Sequence, residues 1–134
     1  CDLYYLTVTS GTTATVVATY DKQKGRCTIG VYTITGLSST TPSDTGTSNN
    51  SDTAPTLTLD IPTGSIAVYG HTSVNSNTTT VTYSSATEHY DQAIGDGSNT
   101  ASGASLADAG NAHTETATLA NSKAGTVLIG AVWS

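Results

Sequence analysis

The side chains best suited to chemistry are acidic residues near one Gly- and Ser-rich stretch of the chain: Glu88, Asp91, Asp96 and Asp108. Carboxylates are the hard oxygen ligands that Ca²⁺ takes, and Asp96-Gly97 is typical of part of a calcium loop. The regular alternation of aspartates in such a loop is missing. These four residues are candidate calcium ligands, but a solvated acidic surface is the favoured interpretation, and we predict no metal site.

The same stretch contains the residues for two further hypotheses. Glycosidases need two acids at a fixed separation, which the sequence does not give, and no Trp or Phe clusters near these acids. We therefore predict that the protein is not an enzyme and uses no cofactor. A carbohydrate-binding face would depend on exposed aromatic and acidic side chains, and its candidates are Tyr90, Asp91 and Asp96.

Histidine and glycine patterns point to no other chemistry. His71, His89 and His113 lack the i, i+2 or i, i+4 spacing that lets one element present two metal ligands. No Gly-x-Ser-x-Gly elbow is present, and Gly95-Asp96-Gly97 does not lead from a strand into a helix, as a phosphate-binding loop must. We expect neither a nucleophile nor a nucleotide site.

Charge and hydropathy exclude two classes of partner. The chain has 134 residues with Lys+Arg 4 against Asp+Glu 10, a net charge of -6. Four basic residues cannot build the phosphate-neutralising face that nucleic-acid binding requires. The longest apolar stretch, residues 127–133, is far shorter than the roughly 20 residues that span a bilayer. We predict no nucleic-acid and no membrane partner.

The composition favours β-strands because about one residue in five is Thr and the strong helix formers are scarce. The clearest alternation is at residues 56–61, where Leu57, Leu59 and Ile61 share one face. At residues 113–119, Glu115 shares a face with Ala117 and Leu119. This pattern predicts an all-β, two-sheet antiparallel sandwich of jelly-roll or related Greek-key type with 8 to 9 short strands.

The individual elements follow from the same alternation and from turn residues. Hairpins are predicted to join 12–20 to 26–35, and 56–61 to 66–69 through a turn at 62–65. Residues 36–55, 71–77 and 95–111 are predicted as polar connections, with one possible helical turn at 104–109. Further strands are expected at 2–10, 78–84, 87–94, 113–119 and 126–133, the last of them central in its sheet.

The N-terminal residues bear on domain limits and redox state. Because the strand pattern begins at Asp2, we expect one domain over residues 1–134 that lacks strands preceding Cys1. Cys1 and Cys27 would form a disulfide if the protein is extracellular, but two separate buried thiols are the favoured interpretation.

Several Thr- and Val-rich stretches together form a pattern known from other proteins. They are Leu3-Tyr4-Tyr5-Leu6, residues 13–19, residues 32–37 with Thr40-Thr41-Pro42, Asp60-Ile61-Pro62-Thr63-Gly64 within 57–68, and the closing stretches 114–118 and 127–133. This pattern resembles β-sandwich modules of tailed-bacteriophage virion structural proteins and related uncharacterised bacterial surface proteins. It covers most of the chain.

The resemblance implies a non-catalytic virion component such as a capsid decoration, head fibre or tail-associated module, located on the virion surface or outside the cell. Its partners would be other virion proteins or copies of itself, in a homo-oligomer or bound to a lattice. It implies no catalytic residues. The alternative is a carbohydrate-binding or adhesion domain of a secreted or surface protein.

Overall fold

The protein is described here from a computed structural model, which places residues 1–11, 15–19, 21, 27–50, 54–74, 80–95, 99–120 and 125–134. These residues form eight strands: β1 (Asp44–Asn50), β2 (Thr56–Asp60), β3 (Ile66–Val74), β4 (Val81–Tyr83), β5 (Thr87–Ile94), β6 (Asn99–Ala107), β7 (Ala112–Leu119) and β8 (Thr126–Trp133). In this part of the chain, no helix is long and apolar enough to cross a membrane.

The strands form two antiparallel sheets, which confirms the predicted all-β sandwich. One sheet has five strands in the order β1-β8-β3-β6-β5, and the other has three in the order β2-β7-β4. The prediction that the last strand is central is also confirmed, because β8 lies between β1 and β3.

The main core lies between the two sheets and follows the two-residue alternation of their strands. On β2, Leu57 and Leu59 are buried while Thr58 and Asp60 are exposed. The core consists of thirteen buried side chains: Leu57, Leu59, Ile61, Ala67, Tyr69, Val81, Tyr83, Ala86, Ala104, Ala117, Leu119, Leu128 and Val132. Their burial against each other holds the sheets together.

The other face of the five-stranded sheet is covered by the N-terminal part of the chain. Val68, Ala131 and Trp133 are buried there beneath four partly buried side chains, those of Leu3, Tyr32, Ile34 and Leu37. The ring of Tyr5 meets that of Trp133 edge-on, with centroids 6.2 Å apart. Residues of β8 are therefore buried on both faces.

The predicted strands before residue 36 do not form in the described residues. Residues 1–11, 15–19 and 27–35 contain no strand, so the strand at 2–10 is wrong. The predicted hairpin of 12–20 with 26–35 is wrong in its described part, and residues 12–14, 20 and 22–26 lie outside the described residues. The side chains of this region have the right residue types for strands, but its backbone lies over a sheet face rather than beside a sheet edge.

The turn at 62–65 is confirmed, but the hairpin around it is wrong. The Ser65 amide donates to the Pro62 carbonyl over 3.0 Å, yet β2 pairs with β7 whereas β3 pairs with β6 and β8. The turn passes the chain between sheets because the apolar faces of β2 and β3 both point into the core from opposite sides.

Three predicted polar connections contain strands instead. Residues 36–55 include β1, residues 71–77 begin with the end of β3, and residues 95–111 include β6. The possible helical turn at 104–109 is wrong because 104–107 belong to β6 and Asp108 has a positive φ of 54°. Small polar residues form these strands because neighbouring strands pair with them along their length, β8 with β1 and both β3 and β5 with β6.

The two cysteines differ from both expectations. No disulfide joins Cys1 to Cys27, and both residues are exposed. The prediction of two buried thiols is therefore wrong.

Candidate functional site

Two of the candidate acids, Glu88 and Asp91, lie together on β5. Asp91 is level with Ser102 of β6, and its Oδ2 accepts a hydrogen bond from the Val81 amide over 2.8 Å. Burial, the charge of Asp91 and a hydrogen bond to Asp91 raise the pKa of Glu88. Burial also raises the pKa of Asp91. Both carboxyls therefore hold their protons more tightly than solvated carboxyls do, which weakens the attraction of the pair for a cation.

The other candidate acids do not join this pair. Asp108 follows the end of β6, where its Oδ1 accepts from the Gly64 amide over 2.6 Å. It is six residues beyond Ser102, or roughly 20 Å along a strand. Asp96 lies outside the described residues. Within the described ranges, no three His, Cys, Asp or Glu side chains are grouped to hold a metal ion.

Tyr90, the candidate aromatic ligand residue, packs against backbone at two glycines. A β-carbon added at Gly103 would lie 2.5 Å from Cε1 of Tyr90, and one at Gly30 would lie 2.8 Å from Cζ of the same ring. The absence of side chains at both glycines therefore lets Tyr90 join residues 27–35 to the sheet. Half-buried in this way, the ring is part of the fold's own packing.

An open groove of about 550 Å³ runs beside Tyr90. It lies between residues 28–33 and the β5 side chains His89 and Gln92. The His89 ring meets the Tyr32 ring edge-on at a centroid distance of 5.5 Å. The groove therefore lies at the contact between residues 28–33 and β5.

A buried polar cluster at the core's edge was not predicted as a site. The Tyr83 hydroxyl lies 3.0 Å from Ser102 Oγ, which lies 3.4 Å from His71 Nδ1. Burial lowers the pKa of His71 to about 4, and its Nε2 has no hydrogen-bond partner among the described residues. The alternation Ala67, Tyr69, His71 along β3 is the sequence signal that points His71 inward. His71 and Ser102 are each 1% exposed, so no substrate reaches this serine and histidine.

Glu115 is a second buried polar group, and it has a structural role. Its Oε1 accepts from Ser84 Oγ over 2.7 Å and from the Ser85 amide over 3.0 Å, and its Oε2 accepts from the Ala86 amide over 3.0 Å. Nε2 of His113 lies 3.2 Å from the same Oε2. Burial raises the pKa of Glu115, but these hydrogen bonds outweigh it and hold the pKa below its usual value. The carboxylate fastens the β4–β5 turn to β7.

Exposed large apolar side chains are concentrated in the N-terminal part of the described chain. Eight large apolar side chains before residue 32 are more than half exposed, and they define the N-terminal apolar surface: Tyr4, Tyr5, Leu6, Val8, Val16, Val17, Ile29 and Val31. Tyr4 and Leu6 are 89% and 85% exposed. In the rest of the described chain, the one other exposed large apolar side chain is that of Val74, which is 43% exposed. Exposed apolar area concentrated in this way marks contact sites.

The backbone beneath this surface is also unpaired. Residues 1–11 and 28–37 make no backbone hydrogen bond to another described residue, and the first such bonds are donated by Ser38 and Ser39 to the Ser134 carbonyl. Unpaired amides and carbonyls are available to another strand.

Comparisons of the chain with protein-family models, curated proteins and solved structures found no match.

Proposed function

We propose that the protein is a non-catalytic structural component of a bacteriophage virion, such as a capsid decoration, head fibre or tail-associated module. It acts through assembly contacts rather than chemistry. The observation that carries this proposal is the N-terminal apolar surface, in which eight exposed large apolar side chains lie on a backbone without strand partners.

The placement of the polar groups supports an assembly role. Asp91, Glu115 and Asp108 each accept backbone hydrogen bonds within the fold. His71 and Ser102 are closed off in the core. The side chains that could take part in a reaction therefore stabilise the sandwich instead. The apolar N-terminal side chains remain exposed for a partner to contact.

The sandwich itself suits a repeated particle component. Its two sheets share a continuous apolar core, and a net charge of -6 keeps copies apart except where a specific surface joins them. The resemblance of the sequence to phage virion modules gives the proposal its particular setting.

Electron microscopy of the native particles that carry the chain tests this role. We expect regularly spaced copies on a shell or tube, with neighbouring density against residues 1–11 and 28–37. A chain found only as isolated molecules, with no particle bearing it, would contradict the proposal.

A glycan array provides the comparison with the alternative carbohydrate-binding function. Saturable glycan binding that is lost in a Tyr90→Ala and Asp91→Ala variant, with folding verified by circular dichroism, would favour that alternative. No binding is expected, because Tyr90 packs against Gly30 and Gly103.

A further inference from the structure

We propose that one edge of the main core binds a sequestered water molecule, which accepts a hydrogen bond from Nε2–H of His71 and donates to buried hydroxyl groups on neighbouring strands. This inference does not depend on the proposed assembly function. It is carried by the burial, the strand register and the hydrogen-bonding capacity of polar side chains on the inner face of the five-stranded sheet.

Five polar side chains occupy neighbouring positions on three strands, and they define the polar edge of the core. His71 of β3 lies opposite Ser102 of β6. Two residues further along β3, Ser73 lies opposite Thr100 of β6 on one side and Thr126 of β8 on the other. The two-residue period of the strands places all five on the face that carries the main core. Each of them is at most 1% exposed.

One nitrogen atom in the polar edge needs a further partner. Buried polar groups are hydrogen-bonded because burial without a partner costs free energy. Nδ1 of His71 lies 3.4 Å from Ser102 Oγ, but Nε2 has no partner among the described residues. Bulk solvent does not reach this nitrogen, since His71 is 1% exposed. A partner bound inside the core satisfies it.

The hydrogen bonds through Ser102 determine which nitrogen of His71 carries the proton. The Tyr83 hydroxyl lies 3.0 Å from Ser102 Oγ, and burial raises the pKa of Tyr83, so the phenol keeps its proton. Because a phenol is the stronger donor and an imidazole nitrogen the stronger acceptor, Tyr83 donates to Ser102, and Ser102 donates to Nδ1. Burial lowers the pKa of His71 to about 4, so the neutral ring has a single proton, which is on Nε2.

The next row of hydroxyl groups supplies the other partners of the water. Alternate residues of a strand are roughly 7 Å apart, a span that one water molecule bridges with two hydrogen bonds. The hydroxyl oxygens of Ser73, Thr100 and Thr126 each have two lone pairs, so they accept from a water in addition to their other contacts. One bond accepted from Nε2–H and two donated give the roughly three hydrogen bonds typical of buried water.

The chemistry of the polar edge favours water over an ion. A cation would meet the proton on Nε2 of the neutral His71 ring. An anion would be repelled by the ionised carboxyl group of Asp91, which is level with Ser102 on β5. The ligand must also be small, since it lies among buried Ser and Thr side chains. Water meets these conditions because it both accepts and donates hydrogen bonds.

Nuclear magnetic resonance of the full wild-type chain at neutral pH tests the inference. A nitrogen–proton correlation of the imidazole groups is expected to show the proton of His71 on Nε2. A nuclear Overhauser effect from water is expected at that proton, with the sign of a water molecule that tumbles together with the protein.

Two pairs of variants connect this water to the polar edge. Relaxation dispersion of the water oxygen counts long-lived waters, and His71→Phe is expected to lose a water that the exposed control His89→Phe retains. Thr100→Val replaces a buried hydroxyl by a methyl group of similar size. It is expected to speed exchange of the water roughly fivefold, the effect of one hydrogen bond. Its control Thr58→Val, on the exposed face of β2, is expected to exchange as wild type does.

A wild type without a water contact at Nε2, a His71 proton on Nδ1, or an unchanged count of long-lived waters in His71→Phe would overturn this inference. The first two results come from wild type, so they decide the question even if a core variant fails to fold. The virion role is tested separately, by electron microscopy of particles.

Discussion

The five-stranded sheet is covered on its two faces in different ways. On one face, the hydrogen-bonded three-stranded sheet packs against it through a buried core of thirteen side chains, which come from both sheets and their connections. On the other face, N-terminal residues outside any strand supply four partly buried side chains over Val68, Ala131 and Trp133. The three-stranded sheet is part of a cooperative fold, whereas the N-terminal residues are held chiefly by side-chain contacts. Mutations in the two regions should therefore change the free energy of unfolding by very different amounts.

The largest difference is expected from matched leucines. Leu59 is 1% exposed in the inner core, whereas Leu6 is 85% exposed. Leu59→Ala should lower the free energy of unfolding by about 4 kcal/mol because it leaves a cavity. Leu6→Ala should change it by less than about 0.5 kcal/mol. Urea unfolding of both variants measures this, and equal losses would show that residues 1–11 are part of the main core.

Acid should lower the free energy of unfolding through His71, which is buried at the edge of the main core. Burial holds its pKa at about 4 against 6.5 when solvated, so the folded state favours the neutral ring. The resulting stability is complete above pH 6.5 and falls by about 3 kcal/mol as the pH drops from 6.5 to 4. Urea unfolding across that range should show the loss in wild type.

The control for this pH effect is a His71→Gln variant. Its stability should depend less on pH between 6.5 and 4, because the carboxyls of Glu88, Asp91 and Glu115 titrate in both proteins and cancel in the difference. His89→Gln, on the exposed surface, should keep the wild-type slope. An unchanged slope in His71→Gln would mean that His71 is not the acid-sensitive group.

A smaller effect is expected where residues 27–35, which lie over the face of the five-stranded sheet opposite the main core, contact β6. Gly103→Val places carbon where Tyr32 and Tyr90 now pack, and overpacking of this kind costs about 2 kcal/mol. Limited proteolysis should then cut residues 27–35 faster than in wild type. Adding Tyr90→Ser should recover part of the lost stability, and additive losses would contradict the proposed contact.

The smallest effect is expected for two isoleucines of the N-terminal part, Ile34 and Ile29. Ile34→Ala should lower the free energy of unfolding by about 1 kcal/mol, because Ile34 is only partly buried against the cluster of Val68, Ala131 and Trp133. Ile29→Ala removes a side chain that is 51% exposed and should be close to neutral. Thermal unfolding compares the two, and similar shifts would mean that both isoleucines face solvent.

Much of the three-stranded sheet was predictable from sequence, because apolar and polar residues alternate regularly along β2 and β7. Leu57 and Leu59 on β2, and Ala117 and Leu119 on β7, face inward as predicted. The strand β6 was missed because its Ser, Gly and Ala residues resemble a loop. Those small residues form a strand because β3 and β5 pair with it on both sides, and a single sequence does not reveal such neighbours.

The candidate sites were harder to predict because they depend on contacts between distant residues. The alternation placed Glu115 inward, but its partners Ser84 and Ala86 belong to the turn between β4 and β5. The candidate acids were close in sequence, yet Asp108 follows the end of β6, far from Ser102, the β6 residue opposite Asp91. In the N-terminal part, strand-forming residue types predicted strands that the described residues do not form, because propensity does not supply an edge to pair with.

The pairing of β1 with β8 has a consequence for the time course of folding. Asp44 lies opposite Val132, and β8 separates β1 from β3. While a ribosome is still making β8, the sheet lacks the strand between β1 and β3, and β1 has no neighbour within it. Closure must await synthesis of residue 133 and then bring together distant parts of the chain, which is intrinsically slow. During that interval the uncovered edges of β1 and β3 are open to strands of other nascent chains.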